Sequence, residues 1–169
     1  MRANMFLGMA GATAGLALVF AAHTTAATAT ANLCVSATVT NNCTISTTAL
    51  AFGSYDPVAA NAATDLDGTG AVSVACTKGT TATVGLGLGS NASGSTRRMS
   101  DGSGNFLTYE LYQDSGHITV WGAAGAGLLS PAAAPSKAAR NFTVHGRVIS
   151  NQDVTAGSYS DTVVATVNF

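Results

Sequence analysis

From Val163 to the last residue the side chains alternate, with Val163, Ala165, Val167 and Phe169 in one row and Val164, Thr166 and Asn168 in the other. A period of two marks a β-strand with one buried face. The period recurs upstream. In "FLTYELYQ" Leu107, Tyr109 and Leu111 share a face, and in "NFTVHGRVI" Phe142, Val144 and Val148 do. Strand-like runs also occupy "ANLCVSATVT", "CTIS", "LAFGSY", "AVSVACT", "TATVGLGLG" and "HITVWG". Turn-forming residues separate them at Asp67-Gly68, Asp101 to Gly104, Ser115-Gly116 and Asn151 to Asp153. "GAAGAGLLSPAAAPSKAA" is the one long irregular stretch. Many short strands at this spacing predict an all-β antiparallel sandwich.

The start of the chain lacks this period. "MRANMFLGMAGATAGLALVFAAHTTAATATA" opens with Arg2, runs apolar from Met5 to Ala22 and closes in small residues with A-x-A patterns. That is the layout of a secretory signal peptide over residues 1–31, cut after Ala26, Ala29 or Ala31. No second apolar run of spanning length follows, so no membrane span is expected after cleavage. Removing Arg2 takes Lys+Arg from 7 to 6 against 8 Asp+Glu, so the net charge goes from -1 to -2. Nothing in that balance attracts nucleic acid. Charged residues make up 9% of the chain, against a usual value of about 25%. A surface of Ala, Thr, Gly and Ser has little electrostatic protection against association, and it suits a subunit packed against copies of itself.

Candidate chemistry is sparse. Cys34, Cys43 and Cys76 allow three disulfide pairings, and an exported chain meets an oxidising compartment. No C-x-x-C and no neighbouring His favours zinc. "GLGLGS" lacks the x-x-G spacing of a phosphate loop. Asp65 and Asp67 in "DLDGTG" lack the closing acid of a calcium loop and read as a Gly-tightened turn. His117 and His145 read as strand-surface histidines, and Glu110 and Asp114 as solvent-facing acids. Arg97 and Arg98 read as solubilising loop charges. No Ser sits in a nucleophile elbow. No enzyme activity, metal or cofactor is expected.

The first stretch of the mature chain carries more information. Leu33, Val35, Ala37 and Val39 form an apolar row, with Cys34, Ser36, Thr38 and Thr40 opposite. Periodicity leaves two readings open. One is an ordinary first strand of a complete sandwich, and the other is an exported strand that completes a neighbour's sheet.

"NNCTISTTALAFGSYDP", "VSVACTKG", "LTYELYQDSGHITVWG" and "GSYSDTVVATVNF" together resemble the spore coat protein U domain family, which includes subunits of archaic (Csu-type) chaperone–usher pili. The resemblance implies an incomplete immunoglobulin-like antiparallel β-sandwich, completed by donor-strand complementation. It divides the mature chain into a donor-strand segment at 32–41 and a pilin-like domain at 42–169. It implies export through the periplasm, capture by a periplasmic chaperone, and passage through an outer-membrane usher. There the chain would polymerise with copies of itself or homologous subunits, into a surface pilus serving attachment and biofilm formation. A secreted coat layer of the same fold is the alternative. A carbohydrate-binding tip adhesin is less well matched, because this chain has room for one domain. By position, Cys43 and Cys76 match the family's disulfide, and Leu33, Val35, Ala37 and Val39 its donor strand. Val163, Ala165, Val167 and Phe169 match its chaperone-facing C-terminal strand. Cys34 departs from the pattern, as a free thiol, an inter-subunit link or a competitor for Cys43. It is not a lipoprotein cysteine, since bulky Leu33 precedes it.

Overall fold

The computed structural model describes residues 25–169. Most of the expected signal peptide, residues 1–24, lies outside the described residues. The chain divides into two units, Met1–Ala37 and Thr38–Phe169. In the first, residues 25–37 carry no helix or strand and are exposed. The expected strand over "ANLCVSATVT" is therefore absent. A lone extended segment has no neighbour to take its backbone N–H and C=O groups, so its alternation alone cannot make it a strand.

The second unit is all-β. Its strands are β1 (Cys43–Thr48), β2 (Leu66–Cys76), β3 (Thr83–Leu86), β4 (Arg97–Ser100), β5 (Phe106–Tyr112), β6 (Arg140–Val148) and β7 (Ala165–Asn168). They form a five-stranded sheet in the order β1-β2-β6-β5-β4 and a two-stranded sheet, β3-β7. Every pairing is antiparallel. The alternating rows become the core. Val72, Val74 and Cys76 of β2, Leu107, Tyr109 and Leu111 of β5, and Val144 and Val148 of β6 are buried with Val84, Leu86 and Trp121. Cys43 lies opposite Cys76 across β1 and β2, and the two are joined by a disulfide. A cross-link closing a loop of this length stabilises by about 3–4 kcal/mol in the chain-entropy model.

Several local expectations are corrected. Asp67-Gly68 is not a turn: it lies inside β2, with Asp67 opposite Arg147 and Gly68 opposite Gly146. The glycines there serve close approach. A Cβ on Gly146 would stand 2.7 Å from Leu50 Cδ1 and 2.8 Å from Phe52 Cζ, and one on Gly68 3.1 Å from Ala51 O. "LAFGSY" carries no strand. Its Leu50 and Phe52 instead lie across these bare glycines and pack on the core. "HITVWG" is an irregular return, in which Trp121 N–H donates to Leu111 O at 2.8 Å and Val120 bridges Tyr112. His117 lies on that return with φ +55°, not on a strand. Arg97 and Arg98 open strand β4 and are not loop charges.

The expected outcome of Gly146→Ala is a loss of about 1–3 kcal/mol, the usual cost of overpacking. Urea unfolding of the oxidised chain measures it. A midpoint unchanged from wild type would show that Leu50 and Phe52 move aside freely.

Candidate functional site

Over the five-stranded sheet, between residues 47–58 and 154–165, lies a groove of about 1170 Å³. Its floor is apolar, made by Val72, Leu107, Tyr109, Leu111, Val144 and Val148, with Leu86 of the second sheet beside them. One rim is residues 47–58 and the other residues 154–165. Leu50, Phe52, Val154, Tyr159 and Val163 lean from the rims onto the core, so the groove is a slot with partly covered walls.

The two edges of the β3-β7 sheet are treated differently. On the β3 side the irregular stretch after Trp121 runs alongside as a substitute strand. Val84 and Leu129 exchange both backbone bonds at 2.9 Å, Leu86 N–H donates to Gly122 O at 3.0 Å, and Ala134 N–H donates to Thr80 O at 2.9 Å. On the β7 side no strand is paired among the described residues. The groove reaches this sheet at Leu86 and Ala165, and an unpaired strand edge can accept an extended segment by β-addition.

The residues singled out from the sequence fall as follows. Val163 and Ala165 line the groove, and Val163, Ala165 and Val167 pack on the core. β7 ends at Asn168, and Phe169, one residue beyond, is 57% exposed. Leu33 and Val35 are 88% and 85% exposed, and Ala37 and Val39 are exposed too. Cys34 is exposed and free. The chain becomes anchored just before β1. Thr77 Oγ1 donates to Thr40 O at 3.1 Å, and Thr80 Oγ1 donates to Asn41 Oδ1 at 3.2 Å.

Arg97 is what sequence reasoning missed. It is 1% exposed. Its guanidinium donates to the carbonyls of Leu86 (2.9 Å), Gly87 (2.8 Å) and Trp121 (2.7 Å) and pairs with the carboxylate of Glu110. It thereby ties β4 of one sheet to the end of β3 in the other. The signal was parity: Arg97 shares the inward row of Met99, which packs on the core.

On the outer face of the five-stranded sheet, Arg147 holds Asp67 through two hydrogen bonds of 2.7 and 2.8 Å. His117 stacks edge-on against Tyr112 and lies 3.6 Å from Asp67. Among the described residues no group of three His, Cys, Asp or Glu is arranged to hold a metal, and no helix is long and apolar enough to cross a membrane.

The Spore Coat Protein U domain model matches residues 29–166. The chain belongs to the Spore Coat Protein U domain family. It is 42% identical over 182 aligned positions to "Protein U" of Myxococcus xanthus, covering 95% of this chain and 96% of that protein. Among solved structures it is similar to a chain of the CsuC–CsuE chaperone–tip adhesion subunit pre-assembly complex, from the archaic chaperone-usher Csu pili of Acinetobacter baumannii. That likeness has a TM-score of 0.53 and 24% identity over 78% of this chain. This chain spans 41% of the length of that one. The shared feature is the fold, an all-β, immunoglobulin-like arrangement of antiparallel strands.

The outer-face pair makes a pH prediction for the domain. The hydrogen bond from Arg147 holds the Asp67 carboxyl below the ordinary carboxylate range, against a smaller opposing effect of burial. A depressed folded-state value contributes stability above the unfolded value, which is lost as the carboxylate protonates below about pH 4. Asp67→Asn is expected to flatten the acid limb of a stability–pH profile below about pH 4. Thermal melts from pH 2 to 7 check it. Because Asp67 is half exposed, its contribution is at the small end for ion pairs.

Proposed function

We propose that this chain is a structural subunit that polymerises at the cell surface by donor-strand exchange. The groove beside the unpaired edge of β7 carries the reading. Residues 32–41 of a neighbouring copy lay Leu33, Val35, Ala37 and Val39 into that groove. From Asn32 to Thr40 the segment is about 30 Å long when extended, at roughly 3.3 Å per residue. Burying Leu33, Val35 and Val39 contributes roughly 1.5–3 kcal/mol each, and main-chain bonds to β7 set the register. What supports this is the exposure of all four side chains, together with the anchoring of the chain that begins only at Thr40.

Before assembly the apolar groove and bare edge are an aggregation hazard. A signal peptide at 1–31 exports the chain to the periplasm. There a chaperone covers the groove and edge, contacting Val163, Ala165, Val167 and Phe169, and an outer-membrane usher passes the subunit to the surface. The A. baumannii pre-assembly complex, which pairs a chaperone with a pilus subunit, favours this route for the fold. The resulting fibre serves attachment and biofilm formation. The family description favours a second product, a secreted coat layer of the same fold.

Val35→Asp puts a charge into an apolar slot where water cannot reach it. Expressed as the only copy, this variant is expected to abolish fibres or layers in electron micrographs while the subunit still binds its chaperone. Normal assemblies would show that 32–41 is not the donor. Deleting Val167 to Phe169 is expected to leave inner-membrane export intact and to lose chaperone-bound subunit from periplasmic extracts. Co-purification at wild-type yield would remove the C-terminal role.

A further inference from the structure

The floor of the groove is already covered. None of Val72, Leu107, Tyr109, Leu111, Val144 and Val148 is more than 6% exposed, and apolar side chains of both rims pack on the core that they form. An incoming strand therefore meets rim side chains first. Its own side chains reach the floor after part of a rim has moved.

The two rims are held by different means. The 154–165 rim is tied through its backbone. Ser160 and Ser100 exchange both bonds at 2.9 and 3.0 Å, Gly87 N–H donates to Val164 O at 2.9 Å, and Ser90 N–H donates to Thr162 O at 3.1 Å. The Tyr109 hydroxyl adds a bond to Asp161 Oδ2 at 2.7 Å. On the other rim, the hydrogen bonds of the described residues include none to Ala49 through Ser54. That segment is fastened at its two ends. Thr48 pairs with Ala71 of β2, while the Tyr55 hydroxyl donates to Ile149 O at 3.0 Å and accepts the N–H of Gln152 at 2.9 Å. Between the ends it is held by Leu50 and Phe52. They lie on bare backbone, where a Cβ on Gly70 would stand 3.0 Å from Leu50 Cβ and one on Gly68 3.1 Å from Phe52 Cδ1. The Phe52 ring also meets Tyr109 edge-on, with centroids 6.1 Å apart. A segment held by side-chain packing alone opens at lower cost than one bonded along its backbone.

We propose that Ala49–Ser54 is a strap that closes the groove in the free chain and lifts when a strand enters. This inference rests on the strand-accepting reading above. Leu50 and Phe52 are two residues apart, so the strap offers the floor alternate apolar side chains, as a donor strand does. It keeps the floor dry while no donor is present, and the entering strand takes its place. A chain whose competent state is populated part of the time binds in proportion to that fraction. The strap thus limits the rate of strand entry, and once it has lifted Phe52 no longer touches Tyr109.

The experiment uses the full mature chain and a fluorescein-labelled synthetic peptide of residues 32–41, with association and dissociation followed by anisotropy. In the wild-type chain, nuclear Overhauser contacts between the Phe52 and Tyr109 rings are expected before peptide is added and are expected to be lost at saturation. Phe52→Ala is expected to speed association about tenfold while changing dissociation less than about twofold, the pattern of an enlarged competent fraction. A Phe52 that served as a wall for the bound strand would instead speed dissociation and leave association unchanged. If circular dichroism shows that Phe52→Ala does not fold, Leu50→Ala takes its place, with the same expectation. Ring contacts that persist at saturation, or association by the folded variant at or below the wild-type rate, overturn the strap and leave the strand-accepting reading standing. A wild-type chain that takes up no peptide removes that reading, and the strap with it.

Discussion

The β3-β7 pair has two strands with which to face five, and a groove lies over the apolar rows of β2, β5 and β6. Sheets bury one face against another layer, and the layer here is incomplete. The rims lean inward to cover part of the floor, and the chain before β1 stays exposed. What the domain lacks and what its first segment offers are of one kind: an extended run with alternate apolar side chains.

The small sheet is finished differently at its two edges. The outer edge of β3 is occupied by the Gly- and Ala-rich stretch through Leu129 and Ala134, which supplies backbone partners without adding a regular strand. Small side chains let that backbone come close. A Cβ on Gly85 would already sit 3.1 Å from Ala123 Cα. Within the small sheet the β3 edge is thus occupied, while the β7 edge carries no paired strand.

Two cross-connections brace the domain around the groove. At one end Arg97 spans the sheets, its charge answered by Glu110 and its remaining donors by carbonyls of Leu86, Gly87 and Trp121. A buried guanidinium is tolerated only with its donors matched in this way. At the other the Cys43–Cys76 cross-link fastens the edge strand β1 to β2. Between them, the bare backbone at Gly68 and Gly146 lets Leu50 and Phe52 lie flat as one rim.

The alternation of Leu107, Tyr109 and Leu111, and of Phe142, Val144 and Val148, was enough to establish an all-β antiparallel domain and its inward rows, because a period of two allows only one buried face per strand. The same alternation in Leu33 to Val39 could not say whether that run pairs, since pairing requires a partner that local pattern does not contain. Family resemblance supplied the disulfide pair and the expected gap, and neither follows from spacing. Only the tertiary structure decided the rest. Asp67-Gly68 has turn chemistry yet lies in β2, because an adjoining strand claims its backbone and a crossing segment needs its missing side chain. Arg97 looks solvent-bound by composition yet is buried, because carbonyls from two distant parts of the chain converge on it. The groove itself belongs to no segment: it is the difference between two sheets, and that difference exists only after both have formed.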